Sequence, residues 1–141
     1  MTTRSLYAYA RRRGHLVFSA KLNRVASVSV QLPDGQCGIG VDRRGMTDAV
    51  EKSLLGHELG HCETGSFYSR YTKVDCIARH ENRADKWAVE KLIPEDALDA
   101  AVAAGHTDLW DLAEYFGVTE ALMKKAVCWY THGNMAAELY F

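Results

Sequence analysis

The chain has 141 residues, of which 48% are hydrophobic and 25% charged, a composition that predicts one globular domain with its own core. No apolar run reaches the roughly 18 to 20 residues that a transmembrane helix needs. The N-terminus also lacks an apolar stretch followed by a cleavage site, so we expect a cytoplasmic protein. The net charge of −1 argues against nucleic acid as the main partner.

The first predicted element is a short amphipathic helix over residues 5–13, which turns Leu6 and Ala10 inward. Residues 1–24 carry six basic side chains and no acidic one, and three consecutive arginines stand at 11–13. This pattern favours the solvated end of a helix. A basic patch that holds an acidic partner or a phosphate is one alternative, and an organelle transit peptide is another.

A β-hairpin is predicted next. Residues 25–32 alternate apolar and polar side chains, which is typical of a strand with one buried face. Residues 33–35 are Pro-Asp-Gly, a turn in which proline presets the first corner and glycine accepts a positive φ. Residues 37–41 then return as the second strand, which gives an antiparallel pair.

From residue 47 the hydrophobic period becomes helical. Thr47 or Asp48 can cap the first of these helices, and Gly65 interrupts the pattern. Pro94 stops the next helix and opens another, because proline is tolerated in a first turn. The later helices are predicted over residues 74–93, 94–105, 110–116 and 119–129.

The four cysteines, Cys37, Cys62, Cys76 and Cys128, include no Cys-x-x-Cys pair, so a zinc ribbon is not indicated. Without an export signal we expect reduced and mostly buried thiols. The sequence leaves a disulfide pair open.

The most informative motif is His57-Glu58-Leu59-Gly60-His61. On a helix, residues four apart project from the same face one turn apart. The two imidazoles can therefore bind one zinc ion at about 2.0–2.1 Å each. Glu58 follows the first histidine, so its carboxylate lies beside the metal and can take a proton from the attacking water. Histidines used for capping or packing are the alternative, which is disfavoured because burying their charge without a partner is costly.

A catalytic zinc usually keeps three protein ligands. Thr64 and Phe67 stand where a metzincin has glycine and histidine, which excludes that class. We expect a carboxylate from the next helix instead, and Glu81 fits because it shares an inward stripe with small alanines that let the helices approach. His80, rotated by about 100° around the helix, is the rival. Asp85 is expected to accept an imidazole N–H and orient that ring, with a surface acid as the alternative.

At this point the sequence resembles the ImmA/IrrE-type metallopeptidases, the M78 peptidase family. The segments that carry the resemblance are LGHELGH at 55–61, ETGSFY at 63–68, ENRADKWA at 81–88, KLIP at 91–94 and LAEYFGVT at 112–119. Together they span most of the chain, and residues 1–24 are the least similar part.

The resemblance implies that His57, His61 and Glu81 bind zinc and that Glu58 is catalytic. Asp85 stands where the family often has asparagine, which leaves its orienting role open. Proteins of this family are commonly encoded on mobile elements beside a helix-turn-helix repressor, which they cleave or inactivate. A repressor is therefore the expected partner.

Peptide hydrolysis of this kind needs a further donor to stabilise the oxyanion. The sequence offers several candidates, for each of which packing or a surface role is the alternative. They are Tyr68, Tyr71, His106, Tyr130 and His132.

Residues 107–132 form a helix-turn-helix-like pair. Its second helix carries only Lys124 and Lys125 against Glu120, and the first helix adds three acids, so repulsion by phosphates disfavours DNA binding. We expect a scaffold or a partner-docking surface here, with Trp110 and Trp129 in the core.

The sequence therefore predicts an α+β fold, mostly helical and zincin-like, with a small antiparallel sheet and the C-terminal pair. Residues 1–141 are expected to form one metallopeptidase domain, with the zincin-like core over 1–104 and a helical extension over 105–141. The expected activity is zinc-dependent endopeptidase cleavage of a protein partner. A metal-stabilised module that inactivates its partner by binding alone is the alternative.

Overall fold

The computed structural model describes residues 1–69 and 71–141. The described residues form an α+β fold with six α-helices and a small three-stranded sheet, which fits the predicted mostly helical domain with a small sheet. In chain order the elements are α1 (Thr3–Arg12), β1 (Leu16–Ser19), β2 (Ser27–Gln31), β3 (Cys37–Val41), α2 (Asp48–Thr64), α3 (Val74–Leu92), α4 (Glu95–Ala103), α5 (Leu109–Phe116) and α6 (Glu120–His132). No helix in this described part of the chain is long and apolar enough to cross a membrane.

The sheet has the order β1-β3-β2. Strands β2 and β3 form the predicted antiparallel hairpin, in which Ser29 pairs with Ile39. Strand β1 pairs with β3 in parallel, so the sheet is mixed: the predicted antiparallel pair is present, and β1 adds a parallel strand that the sequence did not predict. The sequence does not reveal β1 because its apolar residues Leu16 and Phe18 are exposed and no alternation marks a buried face.

The close approach of α2 and α3 positions the functional residues. Thr47 caps α2 by accepting the N–H of Val50, and Gly65 ends the helix at φ +66°. A Cβ atom on Gly60 would lie 2.3 Å from the carbonyl oxygen of Ala84, which is far inside contact distance. The helices can therefore cross this closely only where α2 carries no side chain.

Two cysteines are bonded to each other, which corrects the expectation of reduced thiols. Cys37 begins β3 and Cys62 lies near the end of α2, and their sulfur atoms form a disulfide. Packing of the sheet against α2 brings these residues together across 25 positions of sequence. Cys128 and Cys76 are free thiols, and only Cys128 is fully buried.

The C-terminal pair packs on the rest of the domain. Thr119 caps α6, and its own N–H donates to Ser53 Oγ on α2 at 3.0 Å. The hydroxyl of Tyr130 donates to the carbonyl oxygen of Ile93 at 2.7 Å. Trp129 packs against the core as expected, but Trp110 is 59% exposed, so the expectation of a core position for Trp110 is wrong.

The basic N-terminal segment behaves as the helix-end interpretation predicts. The side chains at 11–13 are exposed at the end of α1 and beyond it. Arg13 forms an ion pair with Glu63 at 2.9 Å, which ties this end of α1 to α2.

Candidate metal centre

His57 and His61 lie one turn apart on α2, and both rings point toward α3. Their Nε2 atoms are 3.2 Å apart. His61 is buried and His57 is 20% exposed. The spacing that the sequence motif implies for a helix is therefore present in the fold.

Glu81 reaches the same point from α3. Its Oε2 atom lies 2.8 Å from His57 Nε2, and its Oε1 atom lies 3.2 Å from His61 Nε2. These three residues form one of two groups of potential metal ligands in the described part of the chain. The rival ligand His80 is outside this group, and its ring instead stacks on that of Tyr68 with centroids 6.3 Å apart.

The hydrogen-bond partners of the two rings determine which nitrogen carries a proton. His61 Nδ1 lies 2.6 Å from the carbonyl oxygen of Ser66, which can only accept. His57 Nδ1 lies 2.7 Å from Asp85 Oδ1, a carboxylate oxygen. Both Nδ1 atoms therefore donate, and in the neutral rings both Nε2 lone pairs face each other and the Glu81 carboxylate.

With both rings neutral, three acceptors converge on one point, an arrangement that a bound cation stabilises. Ligands of a tetrahedral zinc ion at about 2.0–2.1 Å are separated from one another by about 3.3 Å. The separations among His57, His61 and Glu81 run from 2.8 to 3.2 Å, close to that value. Two imidazoles and one carboxylate are also a ligand set that catalytic zinc sites use. These three potential metal-ligating side chains, His57, His61 and Glu81, are called the donor group below, and their geometry fits a zinc ion.

Asp85 lies one turn after Glu81 on α3 and is buried. Burial raises its pKa, but its hydrogen bonds with His57 and Lys125 and their positive charges outweigh burial and hold the pKa below the usual range. The pKa of His57 shifts in the opposite direction. Burial lowers its pKa, whereas the hydrogen bond to Asp85 and the nearby carboxylates raise it above the usual value.

Glu58 is buried on α2 between the two histidines. Its Oε1 atom accepts a hydrogen bond from Ser27 Oγ at the start of β2, at 3.3 Å. Glu58, His61 and Glu81 line one cavity of about 210 Å³ under β2. The carboxylate therefore has access to a space beside the donor group, where a general base is useful.

Of the five oxyanion candidates, Tyr68 lines this cavity. Its hydroxyl donates to Glu81 Oε1 at 2.7 Å, and that hydrogen bond, with burial, raises the pKa of Tyr68 to about 12. Tyr68 therefore stays a hydrogen-bond donor at neutral pH. The other candidates lie elsewhere: Tyr130 binds the Ile93 carbonyl, His106 pairs with Asp111, His132 stacks on Tyr140, and Tyr71 is 81% exposed.

A second, larger cavity of about 540 Å³ opens on the other side of the donor group. Its walls come from α2, α3 and α6 and are mainly apolar, with His57, Glu81 and Lys125 among the lining residues. The donor group thus lies between two cavities.

Residues 10–127 match the family model described as Peptidase_M78, the IrrE N-terminal-like domain. That stretch covers most of the chain and contains every residue of the donor group. The chain belongs to the M78 peptidase family. The resemblance seen in the sequence motifs is thereby confirmed, and the M78 chain is a metallopeptidase-like protein. Neither the curated proteins nor the solved structures contain a match to it.

The sequence did not predict three residues that contact the side chains of the candidate metal centre. Ser66 and Ser27 contact His61 and Glu58, and Lys125 contacts Asp85. The shorter contact of Ser66 is made by its backbone carbonyl, which any residue could supply, and its Oγ atom lies 3.3 Å from the same nitrogen atom. Ser27 and Lys125 are 31 and 40 positions from their partners, beyond the reach of helical or strand periodicity.

Proposed function

We propose that this M78 protein is a zinc-dependent endopeptidase that hydrolyses a peptide bond in a protein partner. One observation carries the proposal: the lone pairs of His57, His61 and Glu81 converge, with the protons of both rings held on the opposite nitrogen atoms. Family membership supports the peptidase class. The position of Glu58 beside the donor group supports its role as general base.

In this proposal His57, His61 and Glu81 hold the zinc ion. The bound ion supplies a Lewis acid for the peptide carbonyl and lowers the pKa of a water molecule toward neutrality. Glu58 takes a proton from the attacking water and delivers it to the leaving amine. Tyr68 lines the same cavity as Glu58 and would turn its hydroxyl from Glu81 to donate to the developing oxyanion.

We further propose that the substrate is a helix-turn-helix repressor of a mobile element, which would make the site of action cytoplasmic. The cavity of about 540 Å³ beside His57 and Glu81 has room for an apolar side chain next to the scissile bond.

The test compares the wild-type protein with Glu58→Gln, which keeps the shape of the side chain and removes its basicity. The purified product of the neighbouring gene is incubated with each protein and examined for fragments by mass spectrometry. We expect cleavage by the wild type and a loss of about 10²-fold or more in the variant. Glu90→Gln, an exposed acid on α3, is the matched control and should cleave normally.

Metal content separates the proposal from its alternative. We expect one zinc ion per chain, which is lost in His57→Ala and retained in His106→Ala. If Glu58→Gln still inactivates the repressor without producing fragments, binding alone is sufficient and the peptidase proposal is wrong.

A further inference from the structure

The C-terminal helix α6 reaches the candidate metal centre through one side chain. Lys125 Nζ lies 2.6 Å from Asp85 Oδ2, and Asp85 Oδ1 lies 2.7 Å from His57 Nδ1. A continuous chain of hydrogen bonds thus runs from α6 through α3 to the ring on α2. Asp85 is 10% exposed and Lys125 37% exposed, so this chain lies partly shielded from water.

The two oxygen atoms of Asp85 have different partners, and this fixes the carboxylate. If only Oδ1 were held, the group could turn about its terminal torsion, which is soft. The ammonium of Lys125 on Oδ2 prevents that rotation and directs Oδ1 at the imidazole. It also supplies the positive charge that a buried carboxylate requires.

Lys125 balances charge as well as geometry. Three carboxylates, Glu58, Glu81 and Asp85, surround a site that we propose for a divalent cation, which leaves one negative charge in excess. Lys125 offsets that excess through its contact with Asp85. The next residue along α6, Lys124, has its ammonium 5.7 Å from the centre of the Phe141 ring instead.

We propose that Lys125 is a positioning residue of the metal centre, which makes the C-terminal helix pair part of the catalytic unit. This inference rests on the proposed function, because the ring that Asp85 orients is a proposed zinc ligand. It assigns a role to the helix pair that the activity otherwise leaves without one. It also removes one of the two lysines on α6 from any surface available to DNA.

The experiment measures the zinc dissociation constant of the full-length protein by competition with a chromophoric chelator. We expect Lys125→Met to bind zinc about tenfold more weakly, because partners behind metal ligands typically contribute about 10- to 100-fold. Lys124→Met, with the same change one residue earlier, should match the wild type. Lys125→Arg keeps the charge and should retain most of the affinity.

A double-mutant cycle with Asp85→Asn distinguishes positioning from a merely structural role. If Lys125 acts through Asp85, Lys125→Met has little further effect on zinc affinity in the Asp85→Asn background. An equal loss in both backgrounds overturns the proposal, and so does an affinity of Lys125→Met within about twofold of the wild type. If Lys125→Met fails to fold, a tenfold loss in Lys125→Arg would likewise contradict the proposal.

The outcomes separate this inference from the proposed function. Weaker zinc binding in Lys125→Met, together with no cleavage by the wild type, supports the positioning role and rejects the peptidase. Normal zinc binding in Lys125→Met, together with cleavage that depends on Glu58, does the reverse.

Discussion

His57 and His61 differ in the partner behind each ring, although both are held in the same protonation pattern. A carboxylate accepts from His57 and a backbone carbonyl accepts from His61. A carboxylate raises the basicity of the ring more than a neutral carbonyl does. At the scale of single residues, then, the basicity of each ring depends on an atom that lies behind it, away from the proposed metal site.

Tyr130 gives a pH prediction at the same scale. Burial raises its pKa to about 12, and nearby Glu90 and Glu95 add to the effect. Because the folded-state pKa exceeds the unfolded value of about 10, the contribution of Tyr130 to stability is complete below that value. It is lost as pH rises from about 10 to about 12.

The free energy of unfolding, measured by urea denaturation across this range, should therefore fall less steeply in Tyr130→Phe than in the wild type. Tyr140→Phe is the control, since Tyr140 lies near the exposed C-terminus. Parallel curves for Tyr130→Phe and the wild type would contradict the expected titration.

At the scale of elements, the contact between α2 and α3 decides whether the site exists, because two proposed ligands lie on α2 and the third on α3. Gly60 allows the backbones to touch at Ala84. Gly56 faces Leu92, whose side chain would lie 2.7 Å from an added Cβ. A Cβ atom on Gly60 would therefore meet backbone, whereas one on Gly56 would meet the end of a flexible side chain.

Gly60→Ala should therefore destabilise the protein by about 3 kcal/mol, the upper end of the usual range for overpacking, since a clash with backbone cannot be relieved by a rotamer change. The substitution should also weaken zinc binding, because pushing α3 away from α2 would move Glu81 away from the two histidines. Gly56→Ala is the matched control. Its clash is partly offset by the higher helix propensity of alanine, about 1 kcal/mol. Thermal unfolding and zinc titration of the two variants check this prediction. Equal losses of stability and zinc affinity in Gly60→Ala and Gly56→Ala would contradict it.

At the scale of the whole molecule, distant segments are joined by the disulfide and by the parallel pairing of β1 with β3. The disulfide Cys37–Cys62 connects the sheet to α2 immediately after His61. Closing a loop of this size is expected to stabilise the fold by about 3 kcal/mol through the unfolded chain.

Thiol titration of the denatured, unreduced protein should therefore detect two of the four thiols, and all four after reduction. Cys37→Ser should lower the free energy of unfolding by about 3 kcal/mol under oxidising conditions and have little effect under reducing conditions. Cys76→Ser should change neither. Four thiols before reduction would show that the pair is reduced in the isolated protein.

Much of the fold and the site could be predicted from local patterns. The turn over residues 33–35 gave the hairpin, and Thr47, Gly65 and Pro94 gave the helix ends, because caps and breakers act within a few residues. The pairing of His57 with His61 follows from helical geometry alone.

Glu81 was predicted from the inward stripe of its helix, and in the structure its carboxylate lies beside the two histidines. Its assignment as a metal ligand stays a proposal until zinc is measured. The exposed position of Trp110 shows the limit of such patterns, because side-chain size alone does not decide which face of a short helix is covered.

Taken alone, the sequence determined the family, the helices, the hairpin and the motif that carries the two histidines, since each depends on residues a few positions apart. Only the tertiary structure decided the parallel strand β1, the disulfide and the contact of Lys125 with Asp85. These features join residues 22 to 40 positions apart, at distances set by how whole elements pack. Periodicity carries no information about such contacts, because it describes one element at a time.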